Sequence, residues 1–186
     1  MQNKNLMKKV ILIYGLISGA IVATMMLITM PMYHSGKLNI NNGELIGYTT
    51  MIVALSLIFF GIKSYRDNYL KGVISFWKSA QVGILIALIA SVIYGLTWEV
   101  MYSQIGEEFT KGMTDKNIEK LKNDGASEAQ MVKAKQDLEV FNEYYKNPII
   151  RFAITLMEIL PVGIVITLIS SALLRKKDFL TPQTQP

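Results

Sequence analysis

Cysteine is absent from the 186 residues. That excludes disulfides, thiolate metal sites and a cysteine nucleophile, and it leaves the redox compartment open. Histidine occurs once, at His34. A single imidazole between Tyr33 and the first outer loop, with no acidic or cysteine neighbour, does not make a metal site. No Asn-x-Ser/Thr sequon marks a glycosylated surface, and no Gly-rich phosphate loop, HExxH helix or GxSxG elbow occurs. No catalytic constellation, cofactor or metal is therefore expected, and the chain does not read as an enzyme. The most informative scarcity is of charge. There are 19 basic and 14 acidic residues, yet four long blocks are nearly free of both.

Those blocks run over about 10–33, 45–62, 79–98 and 149–174. A soluble chain mixes apolar and charged residues at helix or strand period. Segregation over ~20 residues matches the length a helix needs to cross ~30 Å of hydrocarbon. The second block is short, but it is long enough to span with flanking side chains snorkelling to the interface. The first follows Lys8 and Lys9, as a signal peptide would, but its apolar run is too long for a signal core and no small-x-small site ends it. The expectation is an all-α integral membrane four-helix bundle, a single membrane domain over 1–186, with an extracytoplasmic helical hairpin over 99–148.

Charge sets the sidedness. With four spans, the N-terminus, the 63–78 loop and the C-terminus share one side. They hold Lys4, Lys8, Lys9, Lys63, Arg66, Lys71, Lys78, Arg175, Lys176 and Lys177 against Asp67 and Asp178, a net of +8. On the other side Lys37 offsets Glu44, and 99–151 nets −2, with Arg151 counted among its charges. Basic residues stay where translocation begins, so the basic side is expected to be cytoplasmic. Phe76 and Trp77 beside Lys78 read as interfacial anchors, and Trp98 and Tyr102 as the matching aromatic belt on the far face, with Tyr14 and Tyr33 similarly placed. The basic loop suits anionic headgroups; nucleic acid is not an expected partner.

In lipid, close backbone approach rather than apolar bulk drives helix association. Small residues at four-residue spacing permit it: Gly15, Gly19 and Ala23 in the first span, Gly83, Ala87, Ser91 and Gly95 in the third, Gly163, Thr167 and Ser171 in the fourth. These stripes are expected to face inward.

The polar segment has helical patterning. The third span is expected to continue as helix past Glu99, which ends its membrane part, with Thr114 or Asp115 capping a further short helix to Lys122. Asn123-Asp124-Gly125 reads as a turn with a left-handed glycine, and Ser127 with Gln130 as a capping box. Met131, Ala134, Leu138, Phe141 and Tyr145 then make one apolar face over four turns. Pro148 breaks or re-aims the chain before the last span. Met131, Leu138, Phe141 and Tyr145 are the candidate surface for a protein partner or a second copy, when their face is not covered by the hairpin's own first helix.

Glu158 reads as the one ionisable side chain inside a span, and such residues are candidates for function. Pro161 three residues on frees backbone carbonyls and offers a kink, and Thr155 is a nearby hydroxyl. Glu158, Pro161 and Thr155 form the candidate intramembrane polar site. No second intramembrane acid or base is read that would relay a proton.

The stretches FGIKSYRDN (60–68), GVISFWKSAQVG (72–83) and IASVIYGLTWE (89–99) resemble those of the DUF4199 family, a domain of unknown function, over about residues 8 to 177. The resemblance implies a four-helix protein of the bacterial inner membrane, and it implies no activity, so no functional residue is carried over. Two roles are expected. The first is a non-enzymatic scaffold docking a partner through a periplasmic hairpin, in contact otherwise only with the lipid bilayer. The alternative is a small transporter or channel subunit using Glu158 near the Pro161 kink.

Overall fold

A computed structural model describes residues 2–34, 40–176 and 179–180. Tyr33 and His34 lie in helix, but their side chains, like Lys37, fall outside what is described. Among the described residues the regular structure is all helical, with no strand. The helices are α1 (Gln2–His34), α2 (Ile40–Leu55), α3 (Leu57–Tyr69), α4 (Phe76–Asn123), α5 (Glu128–Tyr145) and α6 (Pro148–Leu174).

Local chemistry sets most of these boundaries. Ser75 opens α4 by accepting a hydrogen bond from the Lys78 amide. The capping box forms in full at α5: Ser127 Oγ accepts from the Gln130 amide, and the Gln130 side chain accepts from the Ser127 amide. Gly125 takes φ +77° in the turn before it, the left-handed conformation that ends a helix without a Cβ penalty. Asn147 caps α6 with Pro148 in the first turn, where a missing N–H costs nothing.

Two boundaries differ from the sequence expectation. The second span does not stop at Ile62. Apart from a break at Ser56, whose Oγ donates to the Val53 carbonyl at 2.6 Å, helix persists to Tyr69. The 63–78 loop thus shrinks to residues 70–75. Its charges are tolerated in helix because they are paired: Lys63 and Asp67, four apart, meet at 2.6 Å, and Arg66 Nε meets Asp67 at 2.6 Å. Neither Thr114 nor Asp115 starts a helix. Thr114 Oγ1 donates to the Thr110 carbonyl one turn back, so its hydroxyl is satisfied inside α4, which runs unbroken for 48 residues. Such a helix is ~72 Å long, more than twice the ~30 Å of hydrocarbon. α6 also runs unbroken through Pro161.

Helix α4 touches all the others. Its partners follow from where glycine leaves room. A Cβ on Gly15 would fall 2.8 Å from Ile89 Cβ, and one on Gly19 2.9 Å from Ile93 Cβ, so α1 and α4 run parallel. A Cβ on Gly83 would fall 2.6 Å from Thr167 Cγ2, one on Gly163 2.8 Å from Ala87 Cβ, and one on Gly95 2.6 Å from the Phe152 ring, so α4 and α6 run antiparallel. Ser91 and Ser171 are fully buried and Ala23 half-buried. The hydroxyls of Ser18, Thr167 and Ser171 are buried with no hydrogen-bond partner, so small volume rather than polarity accounts for these residues.

Four stretches are long and apolar enough to cross a membrane: Asn5–Met32, Leu45–Tyr69, Phe76–Asn123 and Pro148–Leu174. Only 22–44% of their most apolar windows is buried within the protein. Rows such as Leu12, Leu16 and Ile13, Ile17 on α1, or Ile164, Leu168 and Val165, Ile169 on α6, remain exposed. An apolar surface of that extent is consistent with a membrane location.

The core has two parts. Around Ile58, Ile62, Val82, Ile86, Ala87 and Ile159 it is aliphatic, while Met26, Met30, Trp98 and Met101 form a second cluster nearer the α4–α5 hairpin. Tyr94 packs against both. At the end away from the hairpin, Arg66 is completely buried. Its guanidinium donates to the carbonyls of Leu174, Phe179 and Leu180 at 3.2, 2.8 and 3.3 Å; the first is an orphan acceptor at the negative end of α6, and the other two belong to the chain beyond it. Arg66 is thus a helix-capping side chain as well as a topological charge.

Candidate functional site

Where aliphatic packing gives way to methionine and aromatic packing, the helices line an open-sided cavity of about 530 Å³, at which Tyr48, Phe141 and Glu158 are exposed. α1 contributes Met25, Met26 and Met30, and α2 contributes Gly47 and Tyr48. α4 supplies Tyr94, Trp98 and Phe109. Leu138, Phe141 and Tyr145 come from α5, and Thr155 and Glu158 from α6. The volume lies within the range of small-molecule pockets, ~300–1,000 Å³, as does a mainly apolar lining with few polar groups. Gly47 is among the lining residues, and a Cβ on it would meet nothing within 4 Å.

The polar groups are mostly engaged with one another. Tyr94 Oη donates to Glu158 Oε2 at 3.5 Å, bringing α4 and α6 together at the cavity wall. Trp98 Nε1 donates to Tyr145 Oη at 2.9 Å. Thr155 Oγ1 donates to the Arg151 carbonyl at 2.9 Å, and Asn142 Nδ2 to Thr114 Oγ1 at 3.1 Å. Burial pushes the Tyr145 phenol above its ordinary value, with the Trp98 hydrogen bond only partly opposing the rise, so it acts as a neutral hydroxyl. Trp98 stacks edge-on to Phe109 with centroids 4.8 Å apart, and Phe141 lies parallel to Tyr145 at 5.5 Å.

This arrangement corrects the reading of Trp98 as a lipid-facing belt. It is 5% exposed, because its N–H finds the half-buried Tyr145 phenol and its ring finds Phe109. Tyr102 is half-buried rather than a surface ring. Trp77, by contrast, is 80% exposed.

Immediately above the cavity sits a group that the sequence pattern placed in the polar segment. Arg151 lies in the first turns of α6 and is buried. It holds Glu99 of α4 through both carboxylate oxygens, with Nε to Oε1 at 3.0 Å and Nη2 to Oε2. Nη1 donates to the Tyr145 and Lys146 carbonyls at 3.1 and 3.3 Å, closing the C-terminus of α5. The guanidinium carbon lies 3.8 Å from the Tyr102 ring centroid, a cation–π contact. α4 continues past Glu99 as expected, and Glu99 ties α4 to α6. Two opposite charges at corresponding depths of sequentially adjacent antiparallel spans were the signal that could have found the pair.

Of the candidate residues that the sequence singles out, Glu158 and Thr155 share the cavity, while Pro161 is absent from its lining and exposed. Leu138, Phe141 and Tyr145 line it too, and Met131 and Ala134 are half-buried on the same side of α5. Gly15, Gly19, Gly83, Ala87, Ser91 and Gly95 are buried at helix contacts away from it. Among the described residues, no three histidine or carboxylate side chains cluster as a metal site.

No curated protein and no solved structure matches the chain. The profile of DUF4199, described as a protein of unknown function, matches residues 13–176. The chain, four apolar helices with one carboxylate at a shared cavity, belongs to the DUF4199 family.

Proposed function

We propose that this is a multi-pass protein of the bacterial inner membrane that binds a small, mainly apolar molecule between its helices and acts without catalysing a reaction, as a small transporter or channel subunit. In this reading four spans form a bundle, both termini are cytoplasmic, and the α4–α5 hairpin stands on the periplasmic side and roofs the cavity. The observation that carries it is Glu158 in the wall of the ~530 Å³ cavity, since an ionisable residue within a span is expensive and faces functional space by default.

The cysteine-free chain supplies the test. A Gly47→Cys variant is expected to react with a water-soluble methanethiosulfonate, while Val165→Cys, on the exposed apolar side of α6, does not. An unreactive Gly47→Cys in folded protein removes the reading.

A second reading keeps the hairpin as a docking element for a protein partner or a second copy. It draws on Val132, Val140 and Tyr144, exposed on α5. Photo-crosslinking from Val140 that returns only intramolecular products would remove it.

A further inference from the structure

We infer that the cavity takes the long chain of a single-tailed lipid, such as a fatty acid, lying along α4. The inference rests on the binding reading above and names the ligand class for that site. Shape carries it. On α4 the lining runs from Tyr94 to Asn117, ~35 Å of helix rise. A lipid chain in one leaflet covers half of the ~30 Å hydrocarbon, or ~15 Å, so a chain with its polar head fits that length, and a compact molecule would leave most of it empty. Width points the same way. About 530 Å³ spread over ~35 Å leaves a mean cross-section of ~15 Å², ~4 Å on a side. Carbon atoms in contact lie ~4 Å apart, so the slot is one hydrocarbon chain wide and too narrow for the paired tails of a diacyl lipid.

The lining chemistry suits a chain with one polar end. Met26, Met30, Trp98, Phe109 and Met113 supply apolar walls, and flexible thioethers adapt to the bends of a chain. Toward the hairpin, Thr110, Thr114 and Asn117 of α4 also line the slot, on one side of the helix. Asn142 of α5 joins them, donating to Thr114 Oγ1 at 3.1 Å. These hydroxyls and amides meet the polar head, and the chain runs back from Thr110 to the level of Trp98, ~18 Å along α4. Entry is sideways. Gly47 and Tyr48 of α2 are exposed at the cavity, and so are the apolar Leu45 and Ile52 of the same helix. The open side is thus continuous with the apolar surface of the spans, and a tail passes from lipid into the slot without crossing water.

Brominated lipids test this. The whole protein is placed in nanodiscs of a diacyl phosphatidylcholine, on a Trp77→Phe background, so that Trp98 in the cavity wall is the sole tryptophan. Bromine quenches tryptophan only near contact, and Trp98 is 5% exposed, so a brominated molecule must enter to be seen. Dibromostearate is expected to quench Trp98 at a mole fraction at least tenfold below that of dibrominated diacyl phosphatidylcholine, with unlabelled stearate restoring the emission. Bromines near the methyl end of the stearate should quench more than bromines near its carboxyl end, because the far end of the chain lies at Trp98. Equal potency of the diacyl lipid would overturn the single-tailed assignment. A compact quencher, 1-bromoadamantane, acting at or below the concentration of the chain would overturn the chain reading and leave binding in the cavity standing. An equal or reversed order of the two stearates would overturn the placing of the head near Thr114. Quenching by none of these probes, or quenching by dibromostearate that unlabelled stearate does not relieve, would overturn binding in the cavity itself.

Discussion

Breaking the Arg151–Glu99 pair should destabilise the protein unequally from its two sides. The Arg151 side chain is 8% exposed and that of Glu99 21%. Replacing Arg151 with Met leaves a largely buried carboxylate without its counter-charge and strips the donors from the Tyr145 and Lys146 carbonyls. Losing one member of a buried pair costs about 3–5 kcal/mol, and the residual exposure of Glu99 puts this case at the lower end. Replacing Glu99 with Gln is milder. Arg151 keeps both carbonyls and the ring of Tyr102, and the Gln oxygen still accepts, so the loss is about 1–2 kcal/mol. In Arg151→Met/Glu99→Gln the stranded charge is gone, and the double variant should be more stable than the sum of the singles by at least ~1 kcal/mol. Reversible unfolding in mixed micelles of sodium dodecyl sulfate and a mild detergent measures all four corners. Hydrogen exchange adds the location: amides at the α5–α6 junction should lose protection before those of the α4–α6 contact near Gly83 and Thr167. Additivity within ~0.5 kcal/mol, or uniform loss of protection, would refute the account of Arg151 as a local tie.

Other outcomes follow from the packing. Gly83→Leu should destabilise severely, by about 3 kcal/mol or more, because even a Cβ there would fall 2.6 Å from Thr167 and 3.0 Å from Ile58; unchanged unfolding in detergent would remove the close contact. Thr167→Val removes a buried hydroxyl that has no partner and should raise stability by up to ~1 kcal/mol, read in the same assay. A cytoplasm-only reporter inserted at Gly125, in the exposed α4–α5 turn, should stay silent, and activity there would reverse the proposed sidedness.

Length and segregation made the spans legible, because a bilayer demands both at once and a soluble core demands neither. Short-range chemistry was legible for a similar reason: Ser127 with Gln130 and Gly125 act through the backbone within one turn. The apolar side of α5 was readable as a face, but not what covers it. The cavity was not readable, since five helices build it and sequence gives no relative depth for residues such as Met26, Gly47, Tyr94 and Phe141. Trp98 illustrates the limit. At a span end the residue type suits an interfacial belt, and only the position of Tyr145, 47 residues away, turns it inward.

The two buried arginines share a design, and together they explain why the charge asymmetry survives. Arg66 and Arg151 each donate to carbonyls at a helix C-terminus, α6 for one and α5 for the other, where the macrodipole favours a cation. Each meets an acid, Asp67 or Glu99. Buried cations of this kind are held by the finished fold, whereas orientation is decided while the chain inserts. Setting both pairs aside removes one basic and one acidic residue from each side, so the proposed cytoplasmic face keeps its net of +8 and the opposite segment its −2. In the proposed orientation, the remaining lysines near span ends, Lys8, Lys9, Lys71 and Lys78, are the ones expected to set it. Neutralising Arg66 should therefore weaken the closure of α6 without inverting the protein, while removing those four lysines should scramble its orientation and leave the helix contacts around Gly83 and Gly163 as they are.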